Sequence, residues 1–193
     1  MIDFYNKAVE ISKRRGWIIR LPVLIYFAYI FVKYLRDFEY NSIFWGLNFY
    51  VHEAGHAVFR CFGWFLHTAG GTILQCLLPV IILFVFLYQR DLFAVSFCLG
   101  WLSTNIFEVA AYMHSSLESN GIATNPYGLK GLHDWFMLFN RLGVYHYTER
   151  IVDFTIFLAI TAMLFCFILG AWSLWKMYRI NSKIEYRNVG RCK

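Results

Sequence analysis

The sequence predicts an all-α, polytopic membrane helical bundle, and three observations predict it. Hydrophobic residues make up 59% of the 193-residue chain and charged residues only 16%, where a soluble globular domain carries about 25% charged residues. Aromatic residues reach 21%, which suits side chains anchored at membrane interfaces. The apolar residues fall in runs close to the roughly 20 residues that one helical bilayer crossing needs. The length suits a single membrane-embedded domain over 1–193. The net charge of +6 does not point to nucleic acid. Lys and Arg cluster at the two ends of the chain, as the positive-inside rule expects.

In chain order, residues 1–16 interleave Phe4, Val9 and Ile11 with Lys7, Glu10 and Lys13, the pattern of a short amphipathic helix in a basic cytoplasmic tail. Lys13-Arg14-Arg15 precedes an apolar run, but no small-residue cleavage site follows it, so that run is expected to be retained as a membrane helix. It is the first span, 17–35, with Arg20 and Lys33 near its ends, where their stems can snorkel. A polar break, 36–39, leads to an apolar, aromatic helix over 43–62. A second break, 63–71, ends in Gly70-Gly71. Spans follow at 72–88, with Pro79 inside it, and at 92–112, with Asn105 and Glu108 inside it, joined by a tight turn at 89–91. A polar segment from His114 to about Gly131 precedes a short amphipathic helix over 133–142. The last span, 154–175, is uncharged, and 176–193 is a second basic tail.

Two basic ends on one side of the membrane require an even number of crossings. Four spans satisfy this, with the 43–62 helix as an additional or re-entrant helix that does not cross. A fifth crossing would strand one basic end on the far side. Cys61, Cys76, Cys98, Cys166 and Cys192 are odd in number and form no C-x-x-C pair, so they read as small hydrophobes and not as a disulfide framework or zinc cluster.

The chemistry is expected in the 43–62 helix, at His52-Glu53-Ala54-Gly55-His56. Residues four apart share a helix face, so His52 and His56 can offer two imidazole nitrogens to one Zn²⁺. Glu53, one residue on, flanks such a metal without ligating it and is placed to act as general base on a zinc-bound water. Three ionisable side chains within about one turn of an apolar helix are costly unless compensated, and a metal would compensate them. A catalytic zinc needs a third protein ligand and an open position. Candidates are the pair His133-Asp134, the intramembrane Glu108, and the isolated His114 and His67. His133 is the favoured ligand, with Asp134 as its orienting partner or as the ligand itself. Asn105 and Glu108 then become supporting or substrate-polarising groups. Gly70 and Gly71 allow close backbone approach and could expose amides to an extended peptide. Gln75 and Pro79 could line a cavity.

His52-Glu53-Ala54-Gly55-His56 inside an apolar segment, followed by Gly70-Gly71, resembles the membrane-embedded zinc metalloproteases of the site-2 protease class. The resemblance implies peptide-bond hydrolysis in or near the membrane, with His52 and His56 as ligands and Glu53 as general base. It departs in one respect: that class takes its third ligand from an Asp-Gly motif that is missing here, and His133-Asp134-Trp135 is the nearest equivalent. From about 45 to 145 the layout is also similar to a group of small bacterial membrane proteins. These share HEAGH, a Gly-Gly-Thr-x-Leu-Gln stretch with a later Pro (Gly70 to Pro79), an Asn in a span (Asn105), and His-Asp-Trp with a trailing Leu-Gly (Leu142-Gly143). That similarity implies a bacterial inner-membrane location, and it favours His133-Asp134 over Glu108 at the site.

Taken together, these readings lead us to expect a zinc-dependent endopeptidase with membrane lipid around it and a membrane-protein or peptide substrate. The alternatives are a zinc hydrolase of lipid or of a small amide or ester, and a non-catalytic metal-binding protein in which His52, His56, His133 and Asp134 close a four-ligand site.

Overall fold

The computed structural model describes residues 16–124 and 130–189, with side chains described as far as Ile180. The amphipathic helix expected over residues 1–16 lies almost wholly outside the described residues, as does Cys192. The elements are α1 (Trp17–Arg36), α2 (Trp45–Phe59) with a 3₁₀ turn over Arg60–Phe62, α3 (Trp64–Tyr88) and α4 (Leu92–Ser115). A hairpin of β1 (Ile122–Thr124) and β2 (Lys130–Leu132) comes next, then α5 (Asp134–Leu142) and α6 (Thr148–Val189). Four segments are long and apolar enough to cross a membrane: α1, α3, α4 and the stretch Tyr145–Ile180. The chain is an integral membrane protein built as a helical bundle. Large apolar side chains such as Ile19, Phe84, Phe157 and Ile168 stand exposed on its outer surface, as lipid-facing positions should.

Contacts at the two ends of the bundle define the topology. At one end Trp17 meets Tyr178 edge-to-face at 5.6 Å, and the Arg20 guanidinium donates twice to the Asp91 carboxylate, both at 3.0 Å. The start of α1, the α3–α4 turn and the later part of α6 therefore share that end. At the other end His114 pairs with Glu39 at 2.8 Å, and the Tyr145 hydroxyl donates to the Ser116 carbonyl at 3.1 Å. Between the ends, Phe27, Ile30, Tyr34, Phe107, Ala159, Met163 and Cys166 form one core shared by α1, α4 and α6, with Tyr34 stacked on Phe107 at 4.4 Å.

The helix carrying the HEAGH motif does not traverse this bundle. After α1 ends at Arg36 the chain folds back along it. The Ile43 amide donates to the Tyr26 hydroxyl at 3.4 Å, and Phe44 stacks on Phe27 at 5.8 Å, about halfway along α1. From that level the 15 residues of α2, roughly 22 Å at 1.5 Å per residue, run back to the His114 end. There Gly63, at φ 90°, reverses the chain into α3. The helix expected in addition to the four spans is the α2 limb of this hairpin.

The break expected over 63–71 is confined to Gly63, and α3 begins at Trp64, eight residues before the anticipated span. Gly70 and Gly71 are helical and buried. Small residues let two membrane helices approach closely, and they do so here. A Cβ on Gly55 would collide with the Gly70 carbonyl, and a Cβ on Gly70 would lie 2.8 Å from Phe59 Cβ. The pair thus serves α2–α3 packing, and its amides belong to a helix, not to an edge open to an extended peptide. The last helix extends beyond the expected 154–175 in both directions. Cys61, Cys76, Cys98 and Cys166 are all free thiols.

Candidate metal centre

α2 places His52 and His56 on the face that meets α3, and α5 brings Asp134 onto the same point from above. His52 Nε2 and His56 Nε2 are 3.1 Å apart. Asp134 Oδ2 is 3.4 Å from the first and 3.3 Å from the second. Three ligand atoms thus form a nearly equilateral triangle. Zinc bonds of about 2.0–2.2 Å at tetrahedral angles require ligand–ligand edges of about 3.3 Å, so the triangle has the dimensions of one face of a tetrahedral site. Among the described residues this is the cluster of His, Cys, Asp and Glu side chains that could hold a metal ion.

The hydrogen bonds behind the two rings determine which nitrogens face the triangle. His56 Nδ1 lies 2.8 Å from the His67 carbonyl, which only accepts, so Nδ1 carries the hydrogen and Nε2 presents its lone pair. His67 Nδ1 returns a bond to the His56 carbonyl at 2.9 Å, closing a reciprocal clasp across the α2–α3 turn. His52 Nδ1 faces Gln75 Oε1 at 3.1 Å, with the same consequence. Two imidazole lone pairs and a carboxylate oxygen therefore converge on one point. Such a set of acceptors is stable only with a proton or a cation among them. The hydrogen bond to Asp134 raises His56 above its usual value against the opposing effect of burial, with the Glu53 carboxylate adding to the rise. Burial would raise the Asp134 carboxyl, but its contacts with His52 and His56 outweigh it and hold that group well below the ordinary carboxylate range.

Asp134, not His133, faces the two histidines. His133 is fully buried, and both its ring nitrogens are engaged elsewhere: Nδ1 accepts from the Phe136 amide at 3.4 Å as the N-cap of α5, and Nε2 pairs with Ser115 Oγ at 3.0 Å. Burial pushes its imidazole below the ordinary value. The favoured third ligand of the sequence reading is thus a structural cap, and the residue after it is the one that enters the site. Glu53 is exposed and lies beside the triangle without joining it. Glu108 also stands outside, bonded to Asn48 and Gln75. Asn105 shares the α4 face of Glu108, but its amide turns back to the Trp101 carbonyl at 3.0 Å. His114 pairs with Glu39 at the bundle end.

Sequence reasoning missed Tyr112. Its hydroxyl donates to Asp134 Oδ2 at 3.1 Å, and its ring stacks on His133 at 4.3 Å and meets His52 edge-to-face at 5.6 Å. A signal existed: Trp101, Asn105, Glu108 and Tyr112 recur at helical spacing and mark one polar-tipped stripe on α4.

Gly71 gives the site its floor. A Cβ there would lie 2.5 Å from His52 Nε2, where neither the ring nor the backbone has room to yield. Gly71→Ala is therefore expected to destabilise the protein by about 1–3 kcal/mol through overpacking. Gly46→Ala, on the same hairpin with nothing within 4 Å of the added carbon, should not. Thermal unfolding of both variants in detergent checks the pair.

No family model, curated protein or solved structure matches the chain, so its functional reading is carried by the residues of the site.

Proposed function

We propose that this chain is a membrane-embedded, zinc-dependent endopeptidase. The observation that carries the reading is the triangle of His52 Nε2, His56 Nε2 and Asp134 Oδ2, whose edges of 3.1–3.4 Å suit three ligands of a tetrahedral zinc. The ligand count supports catalysis over a purely structural role. Three protein ligands and an open fourth position are the catalytic pattern, four the structural one, and His133, the fourth ligand a closed site would need, is committed to Ser115 and Phe136.

His52, His56 and Asp134 would hold the metal. Zinc in such a site lowers the pKa of a water ligand to about 7 and polarises a carbonyl. The chain's own residues do the rest. Glu53, exposed and adjacent in sequence to His52, takes the proton of the attacking water and returns it to the leaving amine. The Tyr112 hydroxyl, by donating to Asp134 Oδ2, fixes the orientation of that carboxylate.

Depth along the candidate spans supports the substrate class. His67 lies three residues from the start of α3 and Tyr112 three from the end of α4. The site is thus within about one helical turn of the ends of two candidate spans. That level suits the juxtamembrane backbone of a membrane protein. It also suits the ester of a lipid, the competing hydrolase reading. In this proposal the end of the bundle where α1 begins and the basic tail leaves is cytoplasmic, the metal faces the opposite side, and the membrane is a bacterial inner membrane.

The test is elemental analysis of purified protein, followed by assays on membrane-protein, peptide and lipid substrates. One zinc per chain and polypeptide cleavage are expected. No tightly held transition metal would end the zinc reading, and turnover of lipids alone would select the competing one.

A further inference from the structure

A line of polar side chains runs through the apolar bundle to the rear of His52. Trp101 Nε1 on α4 donates to Asn48 Oδ1 on α2 at 2.8 Å. Asn48 Nδ2 donates to both Glu108 oxygens at 2.9 Å. Gln75 Nε2 on α3 donates to Glu108 Oε2 at 3.3 Å, and Gln75 Oε1 faces His52 Nδ1 at 3.1 Å. Asn48 is fully buried and Gln75 nearly so. Polar groups at such positions are costly unless every one is satisfied, and helix packing alone does not call for four of them in series.

With Glu108 ionised, the order of donors along the line is fixed. An indole N–H only donates, so the Asn48 oxygen faces Trp101 and its NH₂ faces Glu108. A carboxylate only accepts, so Gln75 must also turn its NH₂ to Glu108 and its oxygen to His52. His52 Nδ1 then carries the hydrogen, and the lone pair is left on Nε2, the atom 3.1 Å from His56 Nε2. With the Gln75 amide reversed, the ring would instead be drawn to the tautomer with hydrogen on Nε2, which cannot ligate a metal through the nitrogen that faces the triangle.

We propose that Gln75 and Glu108, aligned by Asn48, are positioning residues for the metal centre, holding His52 in the one tautomer that can bind. This builds on the zinc reading above. Metal-bound histidines generally donate their second nitrogen to an outer partner that sets ring and tautomer. His56 obtains this from the His67 backbone carbonyl. His52 obtains it from a side chain that could point either way, and Glu108 decides which.

The test is zinc affinity by competition with a chromophoric chelator, on the full chain in detergent, for Gln75→Leu, Glu108→Gln and both together. Glu108→Gln supplies a carboxamide that can donate to Gln75 and release its orientation. Each single change is expected to weaken zinc binding about 10–100-fold, the range for outer partners of metal-bound histidine. The double change should be no worse than Gln75→Leu alone, because Glu108 acts through Gln75. In the Glu108→Gln background, Gln75→Glu gives His52 a carboxylate acceptor that cannot be misoriented, and it should restore wild-type affinity and the wild-type cobalt absorption spectrum. Unchanged affinity in the single variants, fully multiplicative losses, or failure of that rescue in a folded variant would each overturn the proposal. A second measurement needs no variant and no metal: ¹⁵N spectra of His52 in metal-free wild type at alkaline pH. Hydrogen on Nδ1 is expected and hydrogen on Nε2 overturns the proposal. Protein that shows the Nδ1–H tautomer yet binds no zinc would retain the positioning role and remove the metal reading.

Discussion

On the zinc-endopeptidase proposal, Glu53→Gln is expected to keep one zinc per chain and to lose hydrolysis by about 10²–10⁴-fold, the contribution of a well-placed general base. The split follows from where Glu53 stands. It is exposed on α2, outside the triangle formed by His52, His56 and Asp134, so its carboxylate is not needed to hold a metal. An amide of the same shape retains the helix and the solvent contacts, and exposed substitutions of this kind typically change stability by no more than about 0.5 kcal/mol. What the amide cannot do is accept a proton and pass it on. Metal content measured beside turnover on a juxtamembrane peptide reads both halves. Loss of zinc in this variant would make Glu53 a ligand and rewrite the site. Retained turnover would pass the role of base to another group.

The spans and the paired histidines were legible in the sequence for the same reason: both are periodic. Apolar runs of bilayer length identify α1, α3, α4 and α6, and a four-residue spacing on a helix places His52 and His56 on one face whatever surrounds them. The four candidate spans agree with the even number expected, and Trp17 meets Tyr178 where the start of α1 and the later part of α6 share one end of the bundle. Gly70-Gly71 was ambiguous because glycine serves two opposite purposes, freeing a loop and allowing helices to touch. Only the position of Gly55 and Phe59 across the α2–α3 contact decides for the second. Gln75 looked like a lone polar residue in an apolar helix. Its partners His52 and Glu108 are 23 and 33 residues away in the chain, and a role set by two distant helices leaves no local pattern.

The identity of the third residue of the triangle was beyond sequence for a related reason, and it yields the other large expected effect. His133 and Asp134 are neighbours at the start of α5, and successive side chains there point in different directions. Which one turns inward is set by the hairpin before it, where the His133 amide donates to the Gly121 carbonyl at 3.0 Å and leaves the imidazole stacked on Tyr112. Asp134→Ala removes one corner of the triangle and leaves two histidines, so zinc affinity should fall by more than the roughly 100-fold that marks the upper range for outer partners. Asp134→Asn keeps an oxygen in place but removes its charge, and should fall between that variant and wild type. His133→Asn is the contrasting change. Asn is a strong helix N-cap and preserves the start of α5, while the contacts to Tyr112 and Ser115 are lost, so it should lower stability by about 1 kcal/mol, a typical mutational cost, and leave zinc affinity close to wild type. Measuring zinc affinity and unfolding on all three variants separates the two residues. A collapse of zinc binding in His133→Asn, with Asp134→Ala intact, would restore His133 as the ligand and require α5 to turn about its own axis when the metal binds.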